Sequence, residues 1–195
     1  MASAAPKAAK IAAIKPVSPN PDYLRINPID RVHVFIDGNN LMGMLRYLQL
    51  KLDYKRFMLF LRSQTRLVRA HYFALMREDM PKESTGVIDM IEYAGFEVVR
   101  KYGREAAVEG TGNFRFRGSV VPEMTVSMIE AALGGCDHAI IVSGDGELYS
   151  GIEAMKTKGT RVTVIGIKES MSDDLRRSCD SFIDIETLPK EIFYS

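Results

Sequence analysis

Two aspartates follow apolar segments directly, at positions from which a carboxylate can do chemistry. Asp37 ends the segment RVHVFID, before glycine and two asparagines, and Asp145 ends IIVSGD, before glycine and glutamate. If both segments are neighbouring strands of a parallel sheet, the two carboxylates converge where the strand order reverses, which is where such sheets bind ligands. Clustered carboxylates repel one another unless a cation lies between them.

Oxygen ligands of this kind favour Mg²⁺ or Mn²⁺ over zinc, and these ions suit the hydrolysis of phosphodiesters. A plainer interpretation is that each aspartate only turns the chain. Asp-Gly is a common turn pair, and an aspartate after a strand often caps the next helix. One such motif alone favours the turn, whereas two of them at strand ends favour the metal site.

The elements that must position these acids alternate along the chain. Apolar β-branched segments are predicted strands at 31–36, 70–76, 96–102, 161–167 and 181–185 and in DHAIIVSGDGE, and amphipathic segments between most of them are predicted helices. This alternation predicts a three-layer α/β/α sandwich with a mainly parallel, doubly wound sheet. We expect one domain over 31–188, a flexible N-terminal arm over 1–30 and a C-terminal tail over 189–195.

Composition excludes several classes of function. The 195 residues carry a net charge of +1, so nucleic acid could be bound only through a local patch. Two distant cysteines and three scattered histidines offer no zinc spacing, and the free thiols suit a reducing, cytoplasmic location. No apolar run approaches the ~18 residues of a membrane helix, so we expect no membrane contact.

Several motifs together resemble a known family. They are FIDGNNL, a central helix that carries Glu130, IIVSGDGEL followed by a helix and VTVIG, and LRRSCDSFIDI. In combination they resemble the NYN domain, of the LabA-like branch, within the PIN-like nuclease superfamily, from about Arg31 to Leu188. The resemblance implies metal-dependent action on RNA in an acidic pocket that uses Mg²⁺ or Mn²⁺.

The resemblance also implies roles for individual residues. Asp37 matches the acid of the first strand, Asn40 its polar neighbour that contacts RNA, and Asp145 the acid of the SGD motif. Glu147 stands where the family often has a second aspartate. Asp37, Glu130, Asp145 and Glu147 are therefore the expected catalytic residues.

The central helix departs from the family pattern. An expected aspartate falls near Met124, with Glu123 one residue away. Glu123 and Glu130 are seven residues apart and share one helical face, so Glu123 is expected to support Asp37, Glu130 and Asp145 as a metal ligand. The alternative is that Glu123 only favours the helix dipole from the first turn.

Two segments are candidates for contact with RNA. Arg62 and Arg66, with Lys55 and Arg69, form a basic stripe if one helix extends that far, although such a stripe can equally be a solvated face. In NFRFRG, Phe114 and Phe116 alternate with Arg115 and Arg117, which offers stacking surfaces beside cations. The alternative is an exposed hairpin or a dimer contact through the phenylalanines.

Two functions follow from these residues. The first is a metal-dependent ribonuclease in which water attacks the phosphodiester bond. The second is a catalytically impaired domain of the same fold that binds RNA or a protein partner and cleaves nothing. The departure in the central helix favours the second function, and the pair Asp37 and Asp145 favours the first.

Overall fold

A computed structural model of the chain describes residues 22–77, 82–107 and 114–194. Its strands are β1 Arg31–Asp37, β2 Arg66–Met76, β3 Glu97–Tyr102, β4 Arg104–Ala107, β5 Phe114–Arg117, β6 His138–Val142, β7 Arg161–Gly166 and β8 Ser181–Asp184. Its helices are α1 Gly38–Tyr47, α2 Tyr54–Gln64, α3 Lys82–Tyr93, α4 Val121–Leu133, α5 Tyr149–Thr157 and α6 Asp173–Ser178. Short 3-10 turns lie at Gly146–Leu148, Ile185–Thr187 and Lys190–Ile192.

Six parallel strands form the main sheet in the order β3-β2-β1-β6-β7-β8. The chain first moves outward from β1 through β2 to β3, and later returns to the other side of β1 with β6. The strand order therefore reverses between β1 and β6, and ligands bind at such a reversal. The predicted α/β fold with a doubly wound parallel sheet is confirmed.

Burial of β1 on both faces explains why helices cover both sides of the sheet. Val34 and Ile36 pack in one core layer with α1 and α2, whereas Phe35 packs in the other with α4 and α5. Successive side chains of a strand point to opposite faces, so an uninterrupted apolar run can fill both layers. Within the described part of the chain, no helix is long and apolar enough to cross a membrane.

Helix α2 does not extend to Arg66, which was the condition for a basic stripe along one helical face. Helix α2 ends at Gln64, because Thr65 is extended (φ −145°, ψ 158°) and its hydroxyl donates to the carbonyl of Leu61. Arg66 then opens β2 and pairs in register with Arg31 of β1. The condition is not met, since Arg62 is helical and Arg66 lies on a strand, so the two arginines do not share a helical face.

The glycine-rich segment after β3 forms an antiparallel pair. Strands β4 and β5 pair Arg104 with Arg117 and Ala107 with Phe114. Strands β4 and β5 therefore form a hairpin, and its contact with RNA stays a prediction. The predicted stacking surface falls on Phe114, Arg115 and Phe116, whose side chains lie outside the described residues.

Both ends of the described chain pack against the domain. Leu24 and Ile26 are buried in the core layer beneath α1 and α2, and so are Ile192 and Phe193. The backbone amide of Asp53 donates to the carbonyl of Ile192 at 2.8 Å. The packed part of the chain thus extends beyond the domain limits predicted at 31 and 188.

Candidate active site

Asp37 lies at the carboxyl end of β1, directly beside the reversal of strand order. Its side chain accepts a hydrogen bond from the backbone amide of Asn40 at 3.0 Å and so caps helix α1. Only 5% of the residue is exposed. Burial raises the pKa of the Asp37 carboxyl above its usual range, and the nearby charge of Asp145 raises it further.

Ser143 connects the two aspartates. This fully buried residue follows β6, and its hydroxyl lies close enough to the Asp37 carboxyl to lower the pKa of that carboxyl. The same hydroxyl oxygen accepts from the backbone amide of Asp145 at 3.1 Å. Asp145 in turn accepts from the backbone amide of Glu147 at 2.9 Å, which closes the 3-10 turn. The serine hydroxyl therefore lies between the two acids, and no local sequence pattern indicates this role.

The two asparagines after Asp37 hold the edge of the sheet together. The side-chain oxygen of Asn39 accepts from the backbone amide of Leu75 at the end of β2, at 3.2 Å. That of Asn40 accepts from the backbone amide of Gly144 after β6, at 2.9 Å. Asn40 therefore bridges the two halves of the sheet, and its expected contact with RNA stays a prediction.

Gly38 is required by the close approach of β2. A Cβ atom at this position would lie 2.5 Å from Cε1 of Tyr72 and 2.8 Å from the carbonyl oxygen of Phe73. Glycine is the residue that permits such contact between backbones. The motif DGNN thus combines one acid with three residues that fix its surroundings.

The two aspartates share a cleft of about 330 Å³ at the carboxyl edge. Its walls are the end of β1, the first turn of α1, the end of β2 and the segment that leads into α4. The lining residues are Asp37, Asn39, Asn40, Leu75, Gly118, Ser119, Val120 and Asp145. The structure therefore brings together the two acids that the strand ends indicated.

Glu123 lies in the first turn of α4, three residues after Val120 of the cleft wall. Its Oε1 forms an ion pair with Lys101 of β3. Its Oε2 is buried and has no hydrogen-bond partner among the described residues. Met124, at the position where the family pattern expects an acid, is fully buried against Phe35 and Phe73 instead.

Glu130 lies much farther along the same helix. It follows Val121 by nine residues, which is about 13 Å along the helix axis. The helix ends at the opposite edge of the sheet, where Arg31 at the start of β1 donates to the carbonyl of Gly134 at 3.1 Å. Glu130 is exposed and is absent from the described residues that line the cleft. Although Glu130 shares a helical face with Glu123, its position farther along α4 keeps it away from the cleft that Asp37 lines.

Glu147 faces a different cleft. The 3-10 turn after Asp145 carries its exposed side chain into a cavity of about 570 Å³ beside α5 and α6. The lining residues there are Gly146, Glu147, Tyr149, Ser150, Glu153, Asp174, Arg177 and Ser178. The structure therefore separates Glu147 from the Asp37 cleft, although only one residue lies between it and Asp145.

The predicted RNA-binding arginines lie at different distances from the acids. Arg62 is near the end of α2, and Arg66 donates to the carbonyl of Ile29, so both lie toward the edge where the strands begin. Arg117 is exposed and directly precedes Gly118 of the cleft wall. Of these three arginines, Arg117 is the one placed to meet a ligand that occupies the acidic cleft.

The donor set suits a hydrated hard cation. Among the described residues, no group of three or more histidine, cysteine, aspartate or glutamate side chains is gathered closely enough to hold a metal. Mg²⁺ is commonly held by one or two carboxylates, with waters and substrate phosphates completing its shell. Asp37 and Asp145 match that smaller requirement, and the unpartnered oxygen of Glu123 lies on the adjoining helix.

Comparisons with known proteins agree with this fold. The chain is 28% identical over 165 residues to "Low amplitude and bright protein LabA" of Synechococcus elongatus, covering 81% of this chain and 85% of that protein. A crystal structure of a protein of unknown function from Vibrio parahaemolyticus is 23% identical with a TM-score of 0.67, covering 85% of this chain and 96% of that chain, which supports the fold alone. The sequence profile described as "NYN domain" matches residues 31–186, and the chain therefore belongs to the NYN domain family.

Proposed function

We propose that this protein is a metal-dependent ribonuclease that hydrolyses RNA phosphodiester bonds in the cleft of Asp37 and Asp145. One observation carries the proposal: two carboxylates from different halves of the sheet converge in one cleft beside the reversal of strand order. Burying Asp37 beside another negative charge disfavours its ionised form. A bound cation would relieve that repulsion, as would the positive charge of a ligand.

Asp37 and Asp145 would hold Mg²⁺ or Mn²⁺, and the bound ion supplies charge neutralisation at phosphorus and activation of the attacking water. The chain itself orients these carboxylates. The backbone amide of Asn40 holds the Asp37 carboxyl, and the backbone amide of Glu147 holds that of Asp145. Hydrogen bonds of this kind fix the direction in which a ligand oxygen points.

Glu123 is the proposed third acid. Its position after the cleft wall and its unpartnered Oε2 favour it over Glu130, which lies about two turns farther along α4. The ion pair with Lys101 holds Glu123 in its present orientation. Arg117, beside Gly118, is proposed to contact an RNA phosphate at the mouth of the cleft.

Cleavage assays with the full chain test the enzyme. Single-stranded RNA, a stem-loop RNA and single-stranded DNA of one sequence are incubated with Mn²⁺, Mg²⁺ or EDTA. We expect metal-dependent RNA cleavage that falls by at least about a hundredfold in Asp37→Asn and Asp145→Asn, because several kcal/mol of charge stabilisation is lost. Glu153→Gln, which removes an acid from the other cleft, is the matched control and should cleave normally.

Three further substitutions rank the remaining acids. Glu123→Gln is expected to lower the rate more than Glu130→Gln or Glu147→Gln, because Glu123 adjoins the cleft wall with a buried Oε2 that has no hydrogen-bond partner among the described residues. Cleavage that persists in Asp37→Asn would disprove the proposal. A larger loss of rate in Glu130→Gln than in Glu123→Gln would identify Glu130, and not Glu123, as the third acid of the site.

The second candidate is a domain that binds RNA or a protein partner, or pairs with a second copy, without cleaving RNA. Met124 favours it, since a fully buried methionine stands where the family pattern places an acid. Under this alternative, labelled RNA binds the chain and stays intact with every metal tested. Binding without cleavage would therefore select the second function, and cleavage that depends on Asp37 would select the first.

A further inference from the structure

A second groove adjoins the acidic cleft on the other side of Asn40. It has a volume of about 350 Å³ and lies between α1 and the segments that follow β6 and β7. Its lining residues are Asn40, Gly43, Met44, Tyr47, Gly144, Ile167 and Ser170. Because Asn40 lines both cavities, a polymer held at the aspartates can continue into this groove.

Helix α1 forms one wall of the groove with a single stripe of residues. Asn40, Gly43, Met44 and Tyr47 stand at intervals that place them on one helical face, over about 10 Å of axis. Gly43 is inside the helix, where glycine is less favourable than alanine. A Cβ atom at Gly43 would meet nothing within 4 Å, so packing does not require this glycine. Its effect is to leave the groove open.

Tyr47 presents an aromatic ring at the end of this stripe. The residue is 71% exposed, and no hydrogen bond or ring contact joins its side chain to another described residue. Arg46 beside it is also exposed. Proteins bind single-stranded nucleic acid with exposed aromatic rings on which bases stack, and the Arg46 side chain, about 100° around the helix, adds positive charge near the groove.

We propose that this groove holds a nucleotide that flanks the scissile bond, with its base stacked on Tyr47. This inference rests on the proposed function for its polymer, since the RNA strand would enter from the Asp37 cleft. The ligand is single-stranded RNA, because a base must be unstacked from its neighbours to lie on the tyrosine. Stacking on a ring tolerates any base, so the groove contributes affinity and strand geometry more than sequence preference.

Binding measured without cleavage tests the inference. A fluorescein-labelled RNA of ten uridines is titrated with the full chain carrying Asp37→Asn, in Mg²⁺. In that background Tyr47→Ala should weaken binding at least about fivefold, the loss of one stacked base, whereas Tyr47→Phe should retain the affinity. The matched control is Tyr93→Ala, which removes a 92% exposed tyrosine from α3 and should bind as the parent does.

Gly43→Leu provides a second test that does not depend on Tyr47. The new side chain would fill the open groove, and leucine also favours the helix over glycine. We expect weaker RNA binding together with an unchanged or higher unfolding midpoint. A structural role for Gly43 would instead lower that midpoint.

The outcomes separate this inference from the ribonuclease proposal. If Tyr47 and Gly43 control binding while the chain with intact Asp37 cleaves nothing, the groove stands and the ribonuclease fails. If the chain cleaves RNA but Tyr47→Ala binds it like Tyr93→Ala, the groove is disproved alone. The inference is also overturned if the parent binds no RNA. It is overturned as well if the groove binds a protein segment and Tyr47→Ala leaves the RNA affinity unchanged.

Discussion

At the scale of single residues, Asp37 combines a structural and a chemical role. Its carboxyl caps α1 through the amide of Asn40, and the same group faces the cleft shared with Asp145. The turn and the metal site, alternatives in the sequence, are compatible in the structure. A cap needs one carboxyl oxygen, which leaves the other available to a ligand.

Ser143 is expected to matter to both stability and catalysis. Ser143→Ala removes the hydroxyl that lowers the pKa of Asp37 and leaves the backbone amide of Asp145 without that acceptor. We expect a loss of about 1–2 kcal/mol in the free energy of unfolding. RNA cleavage should fall by about tenfold or more, because residues that orient metal ligands have effects of that size.

The control for this prediction is Ser178→Ala. Ser178 is also buried, and its hydroxyl donates to the carbonyl of Leu175 at 2.9 Å, away from the acidic cleft. Urea unfolding and initial cleavage rates are measured for both variants. Equal rates in the two variants would show that Ser143 supports the fold without orienting the acids.

His33 is expected to make stability depend on pH. Burial, with the charges of His71 and Arg31, lowers the pKa of His33 from 6.5 to about 4. Between these values the unfolded chain binds a proton that the folded chain does not, so stability is lost as the pH falls below 6.5. The loss by pH 4 is on the order of 3 kcal/mol.

His33→Phe tests this prediction, because the ring of His33 stacks with Phe35 at 6.3 Å and its Nδ1 has no hydrogen-bond partner among the described residues. Urea unfolding is compared at pH 7 and pH 5. The phenylalanine variant should lose less stability on acidification, while His71 and His138 retain part of the effect through their own lowered pKa values. Identical losses in both proteins would exclude His33 as the source.

At the scale of elements, helix α1 contains two glycines with opposite requirements. Gly38→Ala would place a methyl group 2.5 Å from the ring of Tyr72, and should lower the free energy of unfolding by roughly 1–3 kcal/mol. Gly43→Ala meets open space and should raise it by about 0.5–1 kcal/mol, the helix preference of alanine. Thermal unfolding of the two variants should therefore shift in opposite directions, and two shifts of the same sign would contradict the packing described for α1.

The type of a secondary-structure element was predictable where one periodicity dominates its sequence. The boundary between two consecutive elements was less predictable. The apolar strand β1 and the amphipathic helices follow from local pattern alone. The end of α2 depends on Thr65 and on pairing between β2 and β1, which the pattern of residues 52–67 does not contain. Tertiary pairing therefore decided the boundary, and it moved Arg66 from a helix to a strand.

In the candidate site, too, some features followed from local sequence and others depended on contacts between distant residues. Convergence of Asp37 and Asp145 was predictable because both follow strands, whose ends share an edge. The bonds of Asn39 and Asn40 join residues 36 and 104 positions apart, so no local pattern shows them. Helical periodicity placed Glu123 and Glu130 on one face, but it did not show that α4 carries Glu130 away from the cleft.

At the scale of the whole molecule, the reversal of strand order brings together two negative charges that the fold alone does not require. The first half of the sheet contributes Asp37 and the second contributes Asp145, and Asn40 joins the halves through Gly144. Stability at this edge should therefore depend on whether a cation is present. Such dependence is measurable without any RNA.

Asp37→Asn is expected to change the response of the whole domain to metal. Because burial and Asp145 raise the pKa of Asp37, the folded state loses stability as the pH rises from the ordinary pKa of an aspartate through the raised one, and above it the full loss applies. Asparagine removes the charge and still caps α1. In EDTA at neutral pH the variant should melt at a higher temperature than the parent, by about 2–4 °C for each kcal/mol recovered.

Mn²⁺ should raise the melting temperature of the parent, since binding to the folded state alone stabilises it. It should leave Asp37→Asn unchanged, while Glu153→Gln should respond as the parent does. An equal rise in Asp37→Asn would place the ion elsewhere and remove Asp37 from the metal site.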